Sequence, residues 1–111
     1  MSQSFRRNPL FTADVQKEFA WYWDEAGEDV AWRFEAAVER TLLAIARQPG
    51  LGRERRFRHP ALQGLRSFRV EVPFKRLLIF YRVEGDCVEA WRLMHGARDL
   101  SQRLVETPAT E

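Results

Sequence analysis

Apolar residues recur at helical spacing in two stretches of the first half of the chain. The first stripe consists of Phe11, Val15, Phe19, Tyr22, Trp23 and Ala26, and the second of Val30, Phe34, Val38, Leu42 and Ile45. Steps of three and four residues place side chains on one face of an α-helix. Gly27 separates the stripes, and Pro49 and Gly50 follow the second. The pattern therefore predicts an antiparallel pair of amphipathic helices joined by a short break.

The second half changes to the alternation that is typical of β-strands. From residue 65, Phe68, Val70 and Val72 alternate with polar residues. Residues 77–83 are apolar on both faces, which predicts a central strand, and the sequence Glu-Gly-Asp at 84–86 predicts a hairpin turn before a last strand at 87–95. We also expect a short first strand at 4–8, a short C-terminal helix at 99–105 and a frayed tail at 106–111.

These elements predict the α+β class, with the order β-α-α-β-β-β. The helical hairpin should pack on one face of a small antiparallel sheet. A chain of 111 residues is long enough for one core and too short for two, so residues 1–111 should form a single domain.

Charge is distributed unevenly along the chain. The net charge is only +2, but residues 12–46 hold three basic and eight acidic residues, whereas residues 47–76 hold nine basic and two acidic ones. Of the 18 basic residues, all but Lys17 and Lys75 are arginine. A basic surface concentrated in the middle third of the chain favours a phosphate-bearing or acidic partner.

Several classes of protein are disfavoured by the composition. The longest strongly apolar run, residues 77–81, is far shorter than the ~20 residues of a membrane span, and no apolar segment behind the early arginines predicts a secretory signal. With Cys87 as its only cysteine the chain forms no internal disulfide, which fits a reducing cytoplasm. His59, His95 and Cys87 lack the spacing of a metal site, and no motif predicts a cofactor.

Strand alternation places several arginines together on the sheet. Arg76, Leu78, Phe80 and Arg82 share one face of the central strand, and Arg69 joins them if Phe68 faces the core. Arg92 joins them only if its neighbours Trp91 and Leu93 point inward. Because burial of an unpaired guanidinium is costly, this face should be the one that the helices leave uncovered. It is either a basic binding groove or a solvated face with ion pairs to Glu71 and Glu89.

Two further groups of residues are candidates for function. The loop arginines Arg53, Arg55, Arg56 and Arg58, with His59, either grip phosphates, contact an acidic protein or simply keep a loop soluble. His95 suits general acid–base catalysis, with Arg76, Arg82 or Arg92 stabilising a transition state and Glu71 or Glu89 transferring the second proton. The alternative for His95 is a structural hydrogen bond. Trp21 and Trp32 fall outside the apolar stripes and mark either a protein contact or packing at the hairpin edge.

Three segments carry a resemblance to a known family: Leu65-Arg-Ser-Phe68, Leu78-Ile-Phe-Tyr-Arg82 and Arg92-Leu-Met-His-Gly-Ala-Arg-Asp99. With Trp21-Tyr22-Trp23 and Ala31-Trp-Arg-Phe34 in the helices, their order and spacing resemble the RelE/ParE superfamily of bacterial toxins over residues 5–104. The last segment and the tail that follows it look like the ParE branch. The lysine-rich patch of RelE-like ribonucleases is not seen, although Arg76 occupies the position where nucleolytic relatives place a sheet arginine.

The resemblance implies a function as well as a fold. It implies a cytoplasmic, plasmid-stabilising toxin of a type II (ParDE-like) pair that inhibits DNA gyrase by binding, with nucleic acid contacted through the complex. A ParD-like antitoxin would neutralise it by wrapping its helices and sheet face. Arg69, Arg76, Arg82 and Arg92 are the expected binding face, with Arg98 and Asp99 as a structural ion pair beyond it. The rival hypotheses are a ribosome-dependent messenger-RNA endoribonuclease that uses Arg76, Arg82 and His95, and a non-toxic relative that only binds its antitoxin.

Overall fold

The computed structural model of the chain describes residues 4–96 and 104–105. Its elements are β1 (Ser4–Arg7), α1 (Pro9–Ala26), α2 (Glu28–Arg47), β2 (Arg53–Glu54), β3 (Leu65–Arg69), β4 (Leu77–Glu84) and β5 (Cys87–His95). Single 3₁₀ turns at Pro49–Leu51 and Pro60–Leu62 flank β2. The predicted α+β order is confirmed, and β2 is a two-residue addition to it. Of the expected C-terminal helix, only Leu104 and Val105 are described, in helical conformation; the rest of it, the tail at 106–111, Arg98 and Asp99 lie outside the described residues.

Local sequence explains where both helices begin. Pro9 occupies the first turn of α1, and the Asn8 side chain accepts a hydrogen bond from the Leu10 N–H at 2.9 Å. Gly27 separates the helices with a φ of 95°, a conformation that glycine adopts at little cost. Two acidic residues, Glu28 and Asp29, then occupy the first turn of α2, where they interact favourably with the helix dipole. The break between the helices is therefore a single residue.

The five strands form one mixed sheet in the order β1-β5-β4-β3-β2. β4 is the central strand, as its two apolar faces predict. β1 runs parallel to β5, with Phe5 opposite Val88, and the other neighbours are antiparallel. A register shift after Phe80 leaves Trp91 as an extra residue in β5, because Phe80 pairs with Arg92 and Tyr81 with Ala90.

Each face of the sheet carries its own apolar cluster. The helical hairpin covers one face, where Phe11, Phe34, Val38, Leu42 and Ile45 pack against the inward residues of β4 and β5. The face away from the helices, called the outer face below, carries a smaller cluster formed by Leu62, Leu65, Leu78, Phe80, Met94 and Leu104. Loop residues thus cover part of the face that the strand pattern predicts to be open, and its arginines lie around this cluster.

Trp23 departs from the predicted stripe. It is 42% exposed and contacts Trp32 across the hairpin, with a centroid distance of 6.5 Å. The prediction that Trp23 is a core residue is therefore wrong, since the stripe drifts to the solvent side where the two helices approach their connection.

Candidate functional site

An open groove of about 920 Å³ crosses the outer face of the sheet. Ser67 is paired with Phe80, and Arg69 with Leu78, so these side chains share the face that points away from the helices. Arg53 pairs with Ser67 and brings β2 to the same face. Four of the ten residues that line the groove are arginines (Arg53, Arg55, Arg69 and Arg76), and none is acidic. The groove is therefore a concentrated positive surface.

A buried hydroxyl fixes the segment that enters β2. The Tyr81 hydroxyl accepts a hydrogen bond from the Gly52 N–H at 2.8 Å and donates one to the Pro49 carbonyl at 2.7 Å. The Arg66 guanidinium donates to the Gly52 carbonyl at 2.8 Å. A Cβ atom at position 52 would lie 2.5 Å from the Tyr81 hydroxyl, so only glycine allows this close approach. Burial raises the pKa of Tyr81, which keeps its hydroxyl a donor at neutral pH.

Two of the groove arginines are anchored by single hydrogen bonds. Arg55 donates from Nε to the Ser67 hydroxyl at 2.7 Å, and its guanidinium lies 5.9 Å from the centroid of the Phe80 ring. Arg69 donates from Nη1 to the Lys75 carbonyl at 3.1 Å. Partial burial, together with the charges of Arg53 and Arg69, lowers the pKa of Arg55. Desolvation is the larger cause, and the neighbouring arginine charges add to it.

Arg53 and Arg76 complete the cationic lining. Both side chains are exposed, and within residues 4–96 and 104–105 neither makes a hydrogen bond or ion pair with another side chain. Arg56 and Arg58 are also exposed, but they lie outside the groove lining. Of the basic loop expected from the sequence, Arg53 and Arg55 therefore line the groove, whereas Arg56 and Arg58 do not.

His95 lies at the margin of the groove, as the nuclease hypothesis requires. Its Nε2 atom is 3.3 Å from Glu18 Oε1, and its side chain is about half exposed. The carboxylate beside it is therefore Glu18 of α1. Glu71 pairs with Arg40 in α2, and Glu89 lies 3.9 Å from Arg6, so neither glutamate expected as a second proton-transfer group lines the groove.

Arg82 lies on the outer face but outside the groove. Its Nε and Nη2 atoms donate to the Gln63 and Ala61 carbonyls at 3.0 and 2.6 Å. Its guanidinium also lies over the Trp91 ring, 4.9 Å from the centroid. Through these contacts Arg82 holds the 60–64 segment against the sheet, which is a structural role.

Arg92 lies in the core, on the helix side of the sheet. It is 4% exposed and donates from Nε and Nη2 to the Asp14 carboxylate at 2.7 and 3.0 Å. The same carboxylate accepts the Leu93 N–H at 3.0 Å. Two residues beyond the inward-facing Ala90, Arg92 follows the alternation of β5 towards α1, and the bulge places the next residue, Leu93, on the same side. Of the four arginines expected on the binding face, the groove thus brings together Arg69 and Arg76.

The strand pattern does not identify Tyr81, Glu18 or Asp14 as important residues. Tyr81 belongs to the Leu78–Arg82 segment that carries the family resemblance, and this is the one signal that singles it out. Glu18 and Asp14 lie on α1, far from their partners along the chain. Their contacts depend on how the hairpin crosses the sheet, which local periodicity does not specify.

A second exposed surface lies on the helical hairpin. Trp21, Trp23 and Trp32 are each between 42% and 55% exposed, and Phe19 lies against Trp23 and Trp32 with centroid distances of 5.8 and 4.9 Å. Exposed aromatic residues at this density mark a protein-contact surface more often than a solvent-facing one.

The described part of the chain contains no group of three or more potential metal ligands. Neither of its helices is long and apolar enough to cross a membrane.

Comparison with known proteins agrees with this architecture. Residues 5–100 match the model of the ParE toxin of the type II toxin–antitoxin system parDE. A structure of the chromosomal ParDE toxin–antitoxin system from P. aeruginosa is similar, with a TM-score of 0.69 and 17% identity, over 85% of this chain and 96% of that one.

A structure of the toxin–antitoxin complex RelBE2 from Mycobacterium tuberculosis aligns with a TM-score of 0.58 and 19% identity, over 86% of this chain and 99% of that one. No curated protein matches the sequence significantly. At these identities the two structures establish the fold, and the family model covers most of the chain. The chain therefore belongs to the ParE toxin family of type II toxin–antitoxin systems.

Proposed function

We propose that this protein is the toxin of a type II pair, that it inhibits DNA gyrase in the cytoplasm, and that a cognate ParD-like antitoxin neutralises it. The match of residues 5–100 to the ParE toxin model is the observation that carries the proposal. The inhibition would proceed by binding, because the groove offers several cations but no paired acid and base beyond His95 and Glu18.

Two surfaces support binding by an antitoxin. The aromatic surface of the hairpin (Phe19, Trp21, Trp23 and Trp32) exposes apolar area that a partner can bury. The groove adds positive charge on the opposite face of the molecule. A disordered antitoxin segment that folds on binding can wrap both surfaces at once, as such segments commonly do. The two similar structures come from toxin–antitoxin systems, which supports an antitoxin as a partner.

A supercoiling assay tests the target. Purified chain is added to DNA gyrase and relaxed plasmid, and we expect supercoiling to stop and cleaved plasmid to accumulate. A co-purified antitoxin encoded beside the toxin should restore supercoiling. Undiminished supercoiling at a large excess of folded protein would rule out gyrase as the target.

The position of His95 at the groove margin favours a second candidate function, that of a ribosome-dependent endoribonuclease. In that case His95→Ala should abolish growth inhibition, whereas a gyrase inhibitor should retain it. His59→Ala is a matched control, because His59 is exposed and lies outside the groove. Pulse labelling after induction separates the targets: thymidine incorporation falls first for gyrase, and methionine incorporation falls first for the ribosome. No change in either would indicate a non-toxic relative that binds its antitoxin.

A further inference from the structure

We infer that the groove binds the phosphodiester backbone of a single nucleic-acid strand. This deepens the proposed function, on which it rests, by giving the toxin its own contact with the nucleic acid of its target complex. The first support is charge: Arg53, Arg55, Arg69 and Arg76 line the groove, and no carboxylate does. Like charges held together without counter-charges repel one another, and an anionic ligand relieves that repulsion.

The second support is the number of free donors. Arg55 and Arg69 each use one nitrogen to hold their positions, on the Ser67 hydroxyl and the Lys75 carbonyl. The other guanidinium nitrogens of these residues make no further hydrogen bond within residues 4–96 and 104–105. A guanidinium has five N–H donors in a planar fork that matches phosphate oxygens. The anchored arginines are thus oriented in advance, while the exposed Arg53 and Arg76 can adapt to the ligand.

Shape distinguishes a single strand from a duplex. The groove extends from β2 across β3 and β4 to the end of β5, which is about 14 Å at ~4.8 Å between strands. Proteins that read a duplex usually insert a helix or a β-ribbon into its major groove. This surface is concave and presents no such projection. A concave basic groove that follows a backbone is instead typical of single-strand binding.

An antitoxin segment could cover the groove and block it, but an acidic protein segment suits the groove less well than a nucleic-acid strand does. Peptides that bind sheets usually pair their backbone with a free strand edge or place apolar anchors in pockets. The groove lies on the face of the sheet, where strands β3 and β4 are already paired on both sides. Four of its ten lining residues are arginines and none is acidic, and a polymer with one negative charge on every repeating unit of its backbone satisfies these cations best.

Fluorescence anisotropy with short labelled oligo(dT) and oligo(U) tests the inference directly on the purified chain, between about 50 and 200 mM salt. We expect both oligonucleotides to bind, with affinity that falls as salt rises. In the double variant Arg53→Gln/Arg76→Gln we expect binding about tenfold weaker, because each exposed charge-assisted contact contributes modestly. The slope of log K against log salt should become shallower by about 1.4, or ~0.7 for each lost phosphate contact.

The matched control is Lys17→Gln/Arg33→Gln, which removes the same charge from exposed positions on α1 and α2. It should leave the affinity and the salt slope within about twofold of the unmodified chain, since these residues lie outside the groove. Equal weakening by both double variants would overturn the inference, because it would show binding to net charge alone. Tighter binding of a polyglutamate peptide than of either oligonucleotide would overturn it in favour of an acidic protein.

The two oligonucleotides also separate the sources of the strand. Tighter binding of oligo(dT) supports the inference with the DNA of a gyrase complex as the source, and tighter binding of oligo(U) supports it with messenger RNA. If the unmodified chain inhibits gyrase but binds neither oligonucleotide, the inference about the groove is wrong and the proposed function stands. If it binds the oligonucleotides but does not inhibit gyrase, the inference stands and the proposed function is wrong.

Discussion

Replacement of Tyr81 by phenylalanine removes a single oxygen atom that holds two backbone groups in front of β2. The Gly52 N–H would lose its acceptor at a buried position, and the Pro49 carbonyl would lose its donor. A typical hydrogen bond contributes about 1 kcal/mol, and a buried donor left unsatisfied costs about 1–3 kcal/mol. We therefore expect Tyr81→Phe to lower the free energy of unfolding by about 2–3 kcal/mol.

The corresponding shift in Tm follows from the size of the chain. Unfolding entropy is about 2.1 cal/mol/K per residue, or roughly 0.23 kcal/mol/K for 111 residues. The expected fall in Tm is therefore about 10 °C. Urea unfolding followed by circular dichroism measures the free energy, and a thermal scan measures Tm. The slope of the unfolding free energy against urea concentration should not change, because the variant buries the same ring.

Tyr22→Phe provides the control. Its ring packs between Phe34 and Phe74, with centroid distances of 5.1 and 5.3 Å, but within the described residues its hydroxyl makes no hydrogen bond. We expect this variant to change the free energy of unfolding by less than about 0.5 kcal/mol. If Tyr81→Phe is as stable as Tyr22→Phe, the bridge between Pro49 and Gly52 does not stabilise the fold, and the explanation of how β2 is positioned is wrong.

Gly52→Ala should lose about 2–3 kcal/mol of unfolding free energy in urea, since its Cβ would overlap the Tyr81 hydroxyl; wild-type stability would contradict the close approach. Asp14→Ala should lose about 3–5 kcal/mol, because it removes a buried carboxylate that Arg92 and the Leu93 N–H both use, and a loss below about 1 kcal/mol in the same assay would refute the role of that carboxylate. The raised pKa of Tyr81 means that the folded state holds its proton more tightly, so the contribution of Tyr81 to the unfolding free energy should be constant below about pH 10 and fall above it. That fall, measured by urea titration across this pH range, should be smaller in Tyr81→Phe, and an equal fall in both proteins would exclude Tyr81 as its source.

Periodicity is sufficient to predict both helices and strands β3, β4 and β5, but not the two-residue β2. The helical stripes that contain Phe34 and Ile45 lie in the core, and the apolar run of β4 is the central strand. These predictions succeed because burial of apolar area dominates folding and acts on every turn and every second residue. The helix boundaries also follow local chemistry, since Asn8 and Pro9 begin α1 and Gly27 ends it.

Side-chain direction at the site could be predicted only in part. Arg69 and Arg76 follow the alternation of their strands and reach the groove. Arg92 does not reach the groove, because it lies on the helix side with both Ala90 and Leu93. Two neighbouring residues share that side through a bulge, which has no dependable sequence signal. The contribution of Arg53 depends on a two-residue strand that Tyr81 positions through hydrogen bonds spanning 29 and 32 residues of sequence, which no local pattern records.

The pairing of β1 with β5 has a consequence for synthesis of the protein on the ribosome. β1 cannot pair until Cys87–His95 has emerged from the ribosome, because its neighbour in the sheet, β5, is the last strand in the sequence. Contacts between the ends of a chain form late, since closing a long loop costs entropy before the contacts stabilise it. Arg92 and His95 belong to the same late strand, so neither the Arg92–Asp14 ion pair nor the groove margin exists on a shorter nascent chain. A growing polypeptide of this topology therefore completes neither its sheet nor its basic groove until residues 87–96 have been synthesised and have left the ribosome.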